Sequence, residues 1–131
     1  MIRVAHGARA AQVQAVVQLA SSGWLCLYAG ARPSDPDART EIDREVGKLV
    51  VSINEIAIQA NGDALIGPLK GLAERAGRLT WWRLRSPQGI PLLDGDISGP
   101  GGEADMILTR IDLLPGDVIL IDSFLLEASA L

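Results

Sequence analysis

"GRLTWWRLRSPQGIPLLDGDI", residues 77–97, is the stretch whose reading decides the architecture. Its first half alternates, with Thr80, Trp82 and Leu84 on one side and Leu79, Trp81 and Arg83 on the other, the period of a strand. "SPQG", 86–89, places Pro second and Gly fourth, which suits a tight turn. "IPLLDGDI" then resumes an apolar run, so the pattern predicts a hairpin of 78–86 with 90–97. Such a pair needs no helix between its strands, and it points to an antiparallel sheet.

The neighbouring segments extend the same picture. "ANGDALIGPL" carries an Asn-Gly turn signal and a short strand over 63–67. "KGLAERAG", 70–77, fits one helical turn or a loop. After a Gly-rich loop, "SGPGGEAD", "MILTRIDL" reads as a strand, "LPGD" (114–117) as a turn, and "VILIDSFLLEA" as a last long strand, apolar on both faces. Such a strand has to be covered on both sides, by the N-terminal helix or by a neighbouring subunit.

Upstream, "ARAAQVQAVVQLA" (8–20) reads as a helix, with Val13, Val16, Val17 and Ala20 on one stripe and Gly23 suited to a left-handed C-terminal cap. "WLCLYA" (24–29) follows as a buried strand. It stops at Gly30, and Pro33 and Pro36 make the next corner stiff and extended. Residues 41–58 are ambiguous; an irregular or helical start over 38–46 and a strand over 48–58 are expected. The sum is a mainly β chain, an antiparallel β-sandwich of jelly-roll or immunoglobulin-like type with about seven strands and one N-terminal α-helix. One domain is expected over 1–131, with a helical arm (1–22) and the sandwich (23–131).

Composition narrows the function. The chain of 131 residues is 48% apolar and 21% charged, enough for one core and unlike a disordered segment. Its net charge of −4 lacks the basic footprint of a nucleic-acid binder. No run approaches the roughly 18 apolar residues of a membrane span. Gln12, Gln14 and Gln18 interrupt any signal-peptide core, so manufacture in the cytoplasm is expected.

Candidate chemistry is sparse. The lone His6 and lone Cys26 offer neither a nucleophile–base pair nor a metal set, and Cys26 reads as a small core residue. Asp94 and Asp96 share one strand face, with Glu103 and Asp105 after the glycine loop. This cluster reads as a solvated strand end, with a calcium loop or a hydrolase carboxylate pair as sharper alternatives. "SGPGGE" lacks the context of a phosphate cradle. Of Trp81 and Trp82, one should face the core and the other outward, where it could anchor an interface or stack on a sugar. No catalytic residue, cofactor or metal is expected.

The layout resembles a group of small phage and prophage virion proteins. The likeness rests on the "AQVQAVVQL" helix; on Leu25, Leu27, Tyr28, Gly30, Arg32 and Pro33 with Asp35-Pro36-Asp37 behind them; and on Gly77, Thr80, Trp81, Trp82, Arg83 and Leu84. Asp94-Gly95 and a closing segment with Asp105, Met106, Leu108, Ile111, Gly116, Val118, Ser123 and Phe124 continue it. Trp82 stands where the pattern has Phe, and the segment 38–60 is more charged than the pattern. The resemblance implies a non-enzymatic structural protein of the virion, a homo-oligomer bound to capsid or tail proteins. Capsid cement or decoration is the leading reading; a tail-tip component, with host-glycan binding through an outward Trp, is the alternative. The side chains expected to meet a neighbour are the helix stripe Val13, Val16 and Val17, the corner residues Arg32, Pro33, Asp35 and Asp37, and Trp82 with Arg83 on the hairpin.

Overall fold

The hairpin forms with the predicted alternation from Trp81 to Leu84, but a bulge at Thr80 puts Leu79 in the core with Trp82 and Leu84, not on the side of Trp81 as expected. The computed structural model describes residues 5–35, 40 and 44–127. In chain order these form helix α1 (His6–Ala20) and strands β1 (Trp24–Ala29), β2 (Glu45–Val50), β3 (Ile56–Ile58), β4 (Ala64–Ile66), β5 (Leu69–Leu72), β6 (Gly77–Arg85), β7 (Pro91–Ser98), β8 (Met106–Ile107), β9 (Asp112–Leu113), β10 (Val118–Ile121) and β11 (Phe124–Leu126). Strands β6 and β7 pair antiparallel, Trp82 opposite Gly95 and Leu84 opposite Leu93, and the Gly89 amide closes the turn onto the Ser86 carbonyl at 2.9 Å.

A large sheet runs in the order β2-β1-β6-β7-β8, with β9 added to β6. It is antiparallel except where β8 lies parallel to β7 at Ile97 and Ser98. Leu25, Leu27, Leu49, Trp82, Leu84 and Ile97 of this sheet share one core with Ile66, Leu69, Ile119, Ile121 and Phe124 of a second layer. The molecule is thus a mainly β sandwich with one helix at its N-terminal end.

The second layer is built from two shorter pieces, β10-β5 and β11-β4-β3. Its register gives the piecing a simple cause. Ile66 lies opposite Phe124 and Leu69 opposite Ile121, so the pairing count carries straight across the gap between the pieces. The two segments 64–72 and 118–126 are one antiparallel ribbon bent in its middle. Pro68 supplies no ladder donor there, and a side chain on Gly67 (φ +140°) would overlap the Asp122 carbonyl and Ser123. The expected last long strand is therefore two strands, and 70–72, expected as a helical turn or loop, is its partner's second half.

Two further expected strands are divided. Residues 48–58 break at Ser52-Ile53-Asn54-Glu55, a 3-10 turn from Ile53 to Glu55 in which the Ser52 carbonyl accepts from the Glu55 amide and its hydroxyl from the Asn54 amide. Ser and Asn side chains compete with the ladder in this way. The segment 106–113 splits into β8 and β9, which serve different neighbours. Of the expected irregular or helical start over 38–46, residues 38, 39 and 41–43 lie outside the described residues, and Glu45 and Val46 already belong to strand β2.

Helix α1 covers His6–Ala20 and buries the predicted stripe, with Val13, Val17 and Ala20 inside and Val16 half-buried. Burying two valines contributes on the order of 3 kcal/mol before entropy is counted. Val13 and Val17 pack on Ala64 and Leu126. The helix end departs from expectation. Ser22, at φ 64°, takes the left-handed conformation and donates its amide to the Val51 carbonyl. Gly23 is required for closeness instead, because a Cβ there would sit 2.1 Å from the Arg85 carbonyl oxygen.

Candidate interaction surface

Strand β6 is central and carries opposite chemistry on its two sides. Trp82 and Leu84 enter the core, where the Trp82 ring meets Phe124 at a centroid distance of 5.6 Å. The other side presents Trp81, Arg83 and Arg85. Trp81 stacks on Tyr28 of β1 with centroids 4.2 Å apart and planes 14° from parallel. The Arg83 guanidinium lies 5.3 Å from the Trp81 ring centroid and grips Asp94 with two bonds, Nε to Oδ1 at 2.6 Å and Nη2 to Oδ2 at 2.9 Å. Planar two-point pairing of this kind is specific to arginine.

The described part of the proline corner, residues 30–35, lies over this side of the sheet. Arg83 Nη2 also donates to the Asp35 carbonyl (3.4 Å), Arg85 Nη2 donates to Thr40 Oγ1 and Tyr28 Oη (3.2 Å each), and Arg32 pairs with Asp96 at 3.4 Å. Gly30, at φ +84°, turns the chain out of β1, and the Thr80 hydroxyl donates to its carbonyl at 2.5 Å. Thr80 is the unpaired residue of a β-bulge, since Tyr28 faces Trp81 while Ala29 faces Leu79. The corner is a strap tied down by arginines of the central strand.

These contacts relocate several expected interface residues. Trp82 is 4% exposed and Arg83 is 1% exposed, so neither projects from the surface, and Trp81 is buried as well. The two tryptophans do point to opposite faces, but both faces of β6 are covered, one by the second layer and one by the strap. The outward Trp that a glycan-binding reading needs is therefore missing from this hairpin. Val13 and Val17 are likewise spent inside the chain, with Val16 half-buried against the same cluster. Arg32 and Asp35 are exposed and Pro33 half-buried, while Asp37 lies outside the described residues.

The carboxylates are held rather than poised. Asp94 is paired with Arg83 and Asp96 with Arg32, and Asp105 accepts the Asp96 amide at 3.0 Å. Among the described residues no three His, Cys, Asp or Glu side chains cluster as a metal set. Cys26 is buried beside Trp24, Tyr28 and Trp81. Burial, and then the Glu45 carboxylate, push its thiol up to about 11. Burial also raises Tyr28, partly offset by the Arg85 hydrogen bond. Among the described residues no helix is long and apolar enough to cross a membrane.

What remains open is the outer face of the bent ribbon. Strand alternation sends Ile66, Leu69, Ile119 and Ile121 inward and leaves Leu65, Leu72, Val118, Leu120 and Leu125 outward. Leu72 is 58% exposed, and Val118 and Leu120 are 52% exposed each. Leu72 faces Val118 and Leu65 faces Leu125 across the ladder, while Leu120 faces the exposed Lys70, so the face holds two apolar pairs with a lysine between them. Helix α1 does not cover them, because it packs on Ala64 and Leu126 from the inner side. The doubly apolar C-terminal run signalled this face. Its partner strand β5 was hidden in "LKGL", too short and too interrupted by Gly71 to read as a strand.

Compared with known proteins, the chain matches no family model, no curated protein and no solved structure.

Proposed function

We propose that this chain is a non-enzymatic structural subunit of a phage particle that works by docking. It assembles with copies of itself and clamps the particle surface, as a capsid cement or decoration protein. The observation that carries the reading is the apolar outer face of the ribbon. Five aliphatic side chains point outward, four of them in the cross-strand pairs Leu72–Val118 and Leu65–Leu125 and the fifth, Leu120, opposite Lys70, and the helix does not cover them. Exposed apolar pairs of this kind are what a protein interface covers. The resemblance to small phage and prophage proteins supplies the biological setting. A many-copy clamp gains its hold from several modest contacts acting together.

Light scattering on the size-separated protein tests the docking claim. A defined oligomer is expected, and the double variant Leu72→Lys/Leu120→Glu is expected to give a folded monomer. Mass spectrometry of purified particles from the encoding strain tests the setting, with many copies per particle expected. A wild-type chain that stays monomeric at high concentration and is missing from particles overturns the reading.

A further inference from the structure

Strand β7 has an edge that only partly meets another strand. Strand β8 takes Ile97 and Ser98, and from Pro91 to Asp96 no strand among the described residues lies on the far side. In an antiparallel ladder main-chain groups point alternately toward the partner and away from it. The Asp96 amide donates to the Asp105 carboxylate, away from β6, so the N–H and C=O of Asp94 point outward too.

A recess opens on each side of this same edge. The inner one, about 480 Å³, has Trp82 and Phe124 as apolar wall and Glu103 and Asp105 on its rim. The outer one, about 360 Å³, is lined by Arg32, Pro33 and Leu92. Leu93 and Asp94 border both. Open main chain between paired recesses is what strand addition uses: the backbone supplies hydrogen bonds, and alternate side chains of the guest enter alternate pockets.

Charge selects the guest. Apart from Asp94, whose carboxylate is taken by Arg83 on the opposite face, the ionisable residues described in the lining of the inner cleft are Glu103, Asp105 and Glu127, all acidic. Trp82 and Phe124 beside them suit an aliphatic stem ending in a cation. The Trp82 indole N–H, over Gly95, has no acceptor among the described residues. A second copy's β7 is disfavoured, since edge-to-edge pairing would bring the same acidic groups together.

We propose that the β7 edge around Asp94 receives an extended basic segment of a partner protein as an added strand, with a Lys or Arg side chain seated in the inner cleft. This site differs in chemistry from the Leu72–Val118 pair, shares with the ribbon's outer face only Leu125, and stands whether or not that face forms an oligomer.

The test uses the full chain and a capped seven-residue peptide of alternating Val and Lys, with the Val/Glu peptide as comparison. Titration with amide-resolved NMR is expected to show the Lys peptide binding, slowed exchange of the Asp94 amide, and no response to the Glu peptide. Methylating alternate peptide nitrogens to remove donors, or the variant Glu103→Gln/Asp105→Asn, is expected to weaken binding at least tenfold with the thermal midpoint little changed. Absence of binding at millimolar peptide overturns the proposal. So does binding that is indifferent to the methylated backbone, which means charge attraction alone. Asp94 amide protection that rises with protein concentration in the absence of peptide also overturns it, by placing a second copy at the edge.

Discussion

Arg83 and Asp94 face each other across the central hairpin as a buried, two-point ion pair, 2.6 Å at its shorter bond, with side chains 1% and 6% exposed. The same guanidinium reaches the Asp35 carbonyl, so one cation ties strand to strand and strand to strap. Removing one member of a buried pair leaves the other charged and unmatched. Asp94→Ala is expected to lose roughly 3–5 kcal/mol. Replacing both, as Arg83→Met/Asp94→Leu, should lose less than the single change. Urea denaturation of the wild type and both variants measures this, and a double variant that loses as much as Asp94→Ala or more would count against the pairing account.

Gly95 lies directly beneath the Trp82 ring. A Cβ at this position would come within 2.4 Å of ring carbons on Trp82. The indole cannot retreat without displacing Phe124, its neighbour in the core. Gly95→Ala is expected to cost about 1–3 kcal/mol from overpacking, lowering the thermal midpoint by roughly 3–12 °C for a chain of this size. Calorimetry reads it directly, and an unchanged midpoint would show that the ring has room.

Thr80 and Arg32 hold the strap with unequal strength. Thr80 Oγ1 donates to the Gly30 carbonyl at 2.5 Å in a half-buried site, whereas Arg32 and Asp96 are 40% and 55% exposed. Thr80→Val is expected to lose about 1 kcal/mol, and Arg32→Ala less than about 0.5 kcal/mol. Chemical denaturation of both variants separates them; the reverse order would refute this ranking.

Alkaline pH should loosen the fold through Cys26 and Tyr28. Both groups hold their protons more tightly folded than unfolded, Cys26 with its pKa raised from 9.0 to about 11. The unfolded chain therefore releases protons first as pH rises. The stabilisation is complete below pH 9 and is lost progressively toward pH 11. Cys26→Ala should flatten part of that decline in midpoint-versus-pH curves. In the native protein at neutral pH, a thiol reagent should label Cys26 far more slowly than after unfolding.

The hairpin, the helix stripe and the turn chemistry were legible because each depends on local pattern. Trp82 and Leu84 against Trp81 and Arg83, or Val13 with Val17, can be read from spacing alone. The bend at Gly67-Pro68 against Asp122-Ser123 was not, because it arises from two segments more than fifty residues apart meeting in register. The strap's anchors were unreadable for a related reason. Arg83 looked like an outward hairpin residue, and only the third dimension brings Asp35 and Asp94 to it. The exposed pairs of the ribbon were half visible: the doubly apolar C-terminal run showed one strand, and its mate on β5 did not show.

Val13 and Val17 complete a small cluster with Leu126, more than a hundred residues further along the chain. On the ribosome the helix is made well before Leu126, and its seat is incomplete until that strand follows. Docking of the helix therefore waits on that strand, and a premature stop before Leu126 strips the helix of part of its support. A cell making this protein in bulk carries, for the length of each synthesis, nascent chains with an undocked apolar stripe.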